Sequence, residues 1–230
     1  MFYVGIALMN NILVVAAHPD DEVLGCGGSI VNHTKNGDKV HIIYMTDGVS
    51  SRKKNKLNIL ARNRNAIEAC RILDVQNPIF LDFPDNRMDK LDLLSIVQIL
   101  ETLIDKIRPS VIYTHHVGDL NIDHQITHKA VITACRPLPN FYVRKILSFE
   151  VLSSTGWTGY SADNTFTPNY FIDISKNMEL KLSAMNAYGS ELMEFPHSRS
   201  IEAINSLAIY RGTSVGMEAA EAFMVIRHLA

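Results

Sequence analysis

The sequence predicts an α/β fold, three-layered, with a mostly parallel central sheet. Three observations predict it. Short β-branched runs alternate with helical segments long enough to serve as crossovers; the first run ends abruptly at His18-Pro19-Asp20-Asp21-Glu22; and later runs end in the polar pairs Asp47-Gly48 and His115-His116. In order, Ile12–Ala17 reads as a buried strand, followed by a helix entered at Pro19, whose fixed φ suits a first helical turn. Val40–Thr46 is the second strand, and Leu57 to Leu73 a helix with Arg64 and Glu68 four apart. Pro78–Leu81 is a short strand, Leu91 to Ile107 a helix stopped before Pro109, and Ser110–Thr114 the fourth strand. A helix runs from Asp123 to about Ala134. Beyond Pro137 the pattern loosens into strands at Lys145–Leu152 and Tyr170–Ile174, a polar loop at Ser153–Phe166, and helices at Met178–Tyr188 and Ile201–Tyr210.

The 230 residues, 47% hydrophobic and 20% charged, fit one domain spanning 1–230, with residues 1–10 as an N-terminal extension; a start at Met9 would make the first eight residues of little consequence. No repeat or long linker divides the chain. With 22 Lys+Arg against 24 Asp+Glu the net charge is −2, which gives no field for a polyanion and disfavours nucleic acid as partner. No apolar run reaches the length of a membrane span. Three scattered cysteines suit a reducing cytoplasm and exclude a four-thiolate metal site. A metal would therefore need imidazole and carboxylate, and four of the nine histidines, His115, His116, His124 and His128, crowd one short stretch.

Parallel sheets bind ligands beyond the carboxyl ends of their strands, where His18–Glu22, Asp47-Gly48, Phe83–Arg87 and His115–His124 should meet. His18 and Asp21, three apart at a strand-to-helix turn, project to one side. Adding His124 gives two imidazoles and a carboxylate, a set that binds zinc, or another divalent ion such as Fe(II), and leaves positions open for water or substrate. Asp20, adjacent to but not consumed by this set, is placed to act as a base. Glu22 either hydrogen-bonds a ligating imidazole or caps the helix. The glycines Gly25, Gly27 and Gly28 do not have dinucleotide-loop spacing and are expected to allow close helix packing. Magnesium-dependent phosphotransfer through Asp20 and Asp21 is disfavoured, because magnesium would not call for His18 and His124.

Ala17-His18-Pro19-Asp20-Asp21-Glu22, Thr46-Asp47-Gly48 and Asp119-Leu120-Asn121-Ile122-Asp123-His124 resemble motifs of the PIG-L/LmbE-like metal-dependent N-deacetylases. The resemblance extends through Phe83-Pro84-Asp85-Asn86-Arg87, Pro196-His197-Ser198-Arg199-Ser200 and Arg211-Gly212, so it covers the chain from Asn11 onward. It implies a Rossmann-like fold, zinc on His18, Asp21 and His124, Asp20 as general base, and hydrolysis of an N-acetyl group from a glucosamine-type sugar. Asp123 would be an orienting group. One departure stands out: many members carry His where this chain has Asn121. An amide can donate to an oxyanion but cannot deliver a proton, so either Asp20 does both proton transfers or His197 is recruited, if need be across an interface in a homo-oligomer. Asp85, Asn86 and Arg87 are expected at the rim on sugar hydroxyls, with Arg52 and Arg199 on an anionic aglycone such as a nucleotide or phosphate, and one of His115 and His116 lining the pocket. The basic run Arg52-Lys53-Lys54 with Lys56 is the local counterpart for such a phosphate. The motif variants resemble the branch associated with bacterial surface-polysaccharide and modified-sugar pathways. A thiol-cofactor glucosaminyl precursor is the alternative substrate, and a non-catalytic sugar-binding relative the alternative of a different class.

Overall fold

β1 (Asn11–Ala16) is buried along nearly its whole length because its apolar side chains alternate between two cores. Ile12, Val14 and Ala16 join one apolar layer; Leu13 and Val15 join the other. In the computed structural model, which describes residues 9–52, 56–139, 141–159 and 164–230, β1 is the middle of one side of a seven-stranded sheet. Its parallel neighbours are β2 (Lys39–Thr46) and β4 (Val111–His115); β3 (Ile79–Phe83) pairs with β2, and β5 (Lys145–Phe149) with β4, all parallel. The chain thus runs outward from β1 through β2 to β3, then returns to the other side of β1 at β4. That reversal opens a crevice at the carboxyl ends of β1 and β4, where such sheets bind ligands.

Helices cover both faces. α1 (Asp21–Lys35), α2 (Lys56–Ile72), α6 (Met178–Ala187) and α7 (Ile201–Thr213) pack on the layer of Ile12 and Val14. α3 (Leu93–Ile107) and α4 (Ile122–Ala134) pack on the layer of Leu13 and Val15. α3 starts two residues later than its apolar pattern predicts because the Asp92 side chain accepts the Ser95 backbone N–H as an N-cap. α1 packs closely on its neighbours: a Cβ at Gly25 would lie 2.2 Å from Phe149, and one at Gly28 2.6 Å from Ile174. The expected packing use of these glycines holds.

Two differences from the sequence reading concern the C-terminal half. The expected strand at Lys145–Leu152 stops at Phe149, and Leu152–Thr155 turns into a one-turn helix, α5. The sequence pattern predicts no strand after the last helix, yet β7 (Ala220–His228) inserts antiparallel between β5 and β6 (Tyr170–Asp173). β7 leaves the strand–helix alternation, and its outer half is only partly buried, so it carries no continuous apolar signal. It also supplies a buried polar anchor. α1 is kinked at Cys26, and Glu221 of β7 accepts the backbone N–H groups of Gly28 and Ser29 at 2.9 and 2.7 Å, with Lys181 Nζ 2.5 Å away. The kink's freed donors are satisfied by one carboxylate, which is itself paired.

Candidate active site

His18 follows β1, and Asp21 opens α1, so the turn between them brings both side chains to the crevice. The His18 backbone N–H donates to Asp21 Oδ2 at 2.9 Å, closing that turn. His124 lies in the first turn of α4, which the Asn121 side chain caps by accepting the Asp123 N–H at 2.8 Å. These placements bring His18 Nδ1, Asp21 Oδ2 and His124 Nε2 to within 3.1–3.2 Å of one another. All three residues are buried.

The group fits a metal ion. Ligands about 2.0–2.1 Å from zinc at tetrahedral angles would be separated by roughly 3.3 Å, close to the spacing found. Both imidazoles are oriented from behind by carboxylates. His18 Nε2 is 3.2 Å from Asp123 Oδ2 and 3.4 Å from Asp85 Oδ1, and His124 Nδ1 is 3.2 Å from Asp119 Oδ2. When neutral, each ring can donate from its outer nitrogen to the carboxylate behind it and turn its lone pair toward the shared centre. Asp21 Oδ1 is buried and makes no hydrogen bond among the described residues. Burial alone would lower the His18 pKa, but hydrogen bonds to Asp123, Asp21 and Asp85 raise it well above the usual value. Burial likewise opposes His124, whose pKa is pushed up to about 9 by the charges of Asp21 and Asp119. Asp21 is held well below the usual carboxylate range despite its burial, chiefly by the charges of His124 and His115.

His18, Asp85 and Asp123 make a second cluster of potential ligands. Its carboxylate oxygens are already used. Asp123 accepts the backbone N–H groups of Asn86 and Met88 at 2.6 and 3.1 Å, and Asp85 accepts that of Ser51 at 2.8 Å. The cluster is the support of His18.

Asp20 sits beside the centre with φ of 122°, a conformation that costs a non-glycine residue roughly 1–3 kcal/mol. Its backbone N–H donates to Glu22 Oε2 at 3.0 Å, and its carbonyl accepts from Val23 and Leu24. The Asp20 carboxylate is flanked by two guanidinium groups: Arg62 Nη2 and Arg199 Nη1 each lie 3.1 Å from Oδ2. Neither contact is aligned as a hydrogen bond, so the carboxylate is held by charge and keeps its lone pairs. Glu191 pairs with Arg62 at 2.6 Å and with Arg199 at 3.3 Å, completing the clamp.

Several expected roles shift. Asp85 is buried behind His18 and does not stand at the rim; only Asn86 and Arg87 of that segment are exposed. Glu22 touches neither imidazole but holds the Asp20 backbone, with Tyr188 Oη donating to it at 2.7 Å; burial pushes its pKa up to about 7. His115 has no exposed surface and packs inside the protein. Its Nε2 accepts the Ala17 N–H at 2.8 Å, and its ring stacks on His124 with centroids 3.9 Å apart. Burial keeps its pKa well below the usual value. His116 contacts the Asn164 carbonyl, and His128 the His115 carbonyl, so neither joins the centre. Asn121 spends one amide hydrogen on Asn86 Oδ1 at 3.1 Å. Arg52 is 63% exposed at its side chain and pairs with Glu191. Lys53 and Lys54 lie outside the described residues. The Arg199 backbone N–H donates to His197 Nδ1 at 3.0 Å, which fixes the proton of a neutral His197 on Nε2.

Sequence reasoning missed Arg62, Glu191, Asp119 and Ser154. Arg62 looks like any charged residue of an amphipathic helix, yet it is 3% exposed. Asp119 stood within a quoted motif without a role; it accepts the Ser154 and Thr155 hydroxyls while supporting His124.

A metal-capable imidazole and carboxylate centre at the switch point of a parallel sheet, with a free carboxylate beside it, defines a metal-dependent hydrolase class. Comparison with known proteins narrows the class. The model of the family described as "PIG-L: GlcNAc-PI de-N-acetylase" matches residues 13–135. An uncharacterized deacetylase, YaiS, of Escherichia coli K12 is 31% identical over 186 residues, 78% of this chain and 91% of that protein. The diacetylchitobiose deacetylase of Thermococcus kodakarensis is 27% identical over 93% of this chain and 82% of its own. The crystal structure of the conserved protein TT1542 from Thermus thermophilus superposes with a TM-score of 0.79 at 26% identity, covering 96% of this chain and 97% of that one. The chain belongs to the PIG-L (LmbE-like) family of N-deacetylases.

Proposed function

We propose that the protein hydrolyses the N-acetyl group of an amino sugar or amino-sugar conjugate, with zinc held by His18, Asp21 and His124. The observation that carries this reading is the convergence of those three ligand atoms beside an unconsumed Asp20 carboxylate. A divalent ion bound there supplies Lewis-acid polarisation of the acetamide carbonyl and a lowered pKa for the attacking water. Asp20 takes the proton as the water oxygen bonds to the carbonyl carbon. When the carbon–nitrogen bond breaks, the same carboxyl returns the proton to the departing nitrogen, leaving acetate and a free amine. The Arg62 and Arg199 guanidinium groups flank the Asp20 carboxylate and fix where it points.

His197 serves this reaction as a hydrogen-bond donor. Its Nδ1 accepts the Arg199 N–H, so Nε2–H is free to stabilise an oxyanion, whereas protonating Nδ1 would break that contact. Asn121 is a second donor through its remaining amide hydrogen. Asn86 and Arg87 contact the sugar at the rim. A substrate from bacterial surface-polysaccharide or modified-sugar biosynthesis rests on the motif variants of the sequence.

The test is Asp20→Asn. The variant should retain the metal content of the wild type, measured by elemental analysis, and release no acetate from N-acetylated sugars. Unchanged turnover would remove Asp20 from the reaction.

A further inference from the structure

Asp20 is held at its main chain and at its carboxylate, and both supports lead to Tyr188. At the main chain, the Asp20 N–H donates to Glu22 Oε2 at 3.0 Å, and the other oxygen of that carboxylate accepts the Tyr188 hydroxyl at 2.7 Å. At the side chain, Arg62 Nη2 lies 3.1 Å from Asp20 Oδ2, and the same guanidinium lies over the Tyr188 ring, 5.3 Å from its centroid. One aromatic side chain at the end of α6 thus reaches both groups that hold Asp20.

Each support needs that side chain for a separate reason. The left-handed φ of Asp20 is unfavourable for a residue with a Cβ, so the turn persists only where its surroundings fix it. The Asp20 carbonyl is tied to α1 through Val23 and Leu24, which leaves Glu22 to fix the peptide plane on the N–H side. Glu22 is itself a buried side chain, oriented by the hydroxyl it accepts. Arg62 faces Asp20 and Glu191 by charge, but its Nε and Nη1 make no hydrogen bond among the described residues. Charge alone sets no plane, so the guanidinium takes its orientation from the π face it lies over. Tyr188 can serve both because it is fixed itself: it has no exposed surface, its backbone N–H donates to the Met185 carbonyl, and Tyr44 Oη stands 3.2 Å from its hydroxyl.

We propose that Tyr188 is the positioning residue of the Asp20 base, its hydroxyl fixing the main chain through Glu22 and its ring fixing the carboxylate through Arg62. The proposal rests on the reading of Asp20 as the base and gives Tyr188 no contact with the reacting atoms.

Two measurements on the full chain test it. The first needs no turnover. Amide hydrogen exchange, followed residue by residue by NMR, should be about tenfold faster at Asp20 in Tyr188→Phe than in the wild type, and unchanged at Val14 and Val15 inside β1. An unchanged rate at Asp20, or an equal rise throughout the sheet, overturns the proposal. The second is kinetic. At matched metal content, Tyr188→Leu, which removes both ring and hydroxyl, should lower kcat for acetate release about a hundredfold with KM unchanged. Tyr188→Phe returns the ring to Arg62 and should recover about tenfold of that loss. A loss carried by KM or by metal content overturns the proposal, as does a Tyr188→Phe protein no faster than Tyr188→Leu. If Tyr188→Leu lacks the wild-type circular dichroism, Tyr188→Phe decides the kinetics alone: a kcat about tenfold below wild type sustains the proposal and a wild-type kcat overturns it. Should Asp20→Asn turn over like the wild type, or the wild type release no acetate, the reaction assigned to Asp20 fails, and exchange alone decides whether Tyr188 fixes that residue: the faster rate at Asp20 sustains it and its absence overturns it.

Discussion

The parallel half of the sheet and the segment from α5 to the start of α7 meet at the Asp20 carboxylate. The strand ends of β1, β3 and β4 contribute His18, Asp21, Asp85, Asp123 and His124, each fixed by backbone N–H groups or by a carboxylate behind it. The later segment contributes Trp157, Glu191, His197 and Arg199, whose contacts are mostly side chain to side chain and partly exposed. Ligand geometry that must be correct to a few tenths of an ångström is thus built on rigid strand ends. Glu191 and Arg199, which pair beside Asp20, sit instead on connecting segments, where substitution leaves the sheet undisturbed.

Substitutions can sharpen that contrast. The largest effect is expected for His124→Ala, which removes one of the three proposed ligands: metal content should collapse and acetate release fall on the order of a thousandfold. A fully metallated His124→Ala protein would place the centre elsewhere. Asp85→Asn touches no ligand position but withdraws a charge from behind His18. It should weaken metal affinity roughly 10- to 100-fold, read by competition with a chelator, while activity returns at excess metal. Retained affinity would make Asp85 a structural residue only. The smallest catalytic effect is expected on the clamp side. Arg62→Lys should lower kcat about tenfold with KM and metal content unchanged, since Arg62 acts by holding Asp20. Arg62→Met leaves Asp20 and Glu191 without that charge and should also cost roughly 3–5 kcal/mol of stability, seen as a lower denaturation midpoint. A parallel rise in KM would show that Arg62 contacts substrate.

Much of the metal-capable cluster was legible because it is local. His18-Pro19-Asp20-Asp21 and Asp123-His124 each sit at a strand-to-helix turn, where residue type and spacing restrict direction. What could not be read was which partner each polar side chain would find. Asp85 reads as a rim residue in Phe83-Pro84-Asp85-Asn86-Arg87, yet the turn buries it against His18, and Asn86 takes the exposed position with φ of 52°. Arg62 shares the buried face of α2 with Ala66, Ala69 and Cys70, but a charged residue type does not advertise a buried position, and nothing local says that its partner is Asp20. β7 escaped for a similar reason: its place between β5 and β6 depends on an antiparallel return that the strand–helix alternation does not announce.

By itself the sequence determined the α/β class, the alternation of the parallel strands with their helices and the metal-capable residues, because periodicity and turn chemistry are properties of neighbouring positions. The tertiary structure decided how those residues are supported. Asp85 and Asp123 stand behind one imidazole, Asp119 behind the other, and Arg62 and Arg199 beside Asp20. Those pairings join residues far apart along the chain, and a charge buried from water must find its counter-charge wherever packing brings one, a choice that local spacing does not encode.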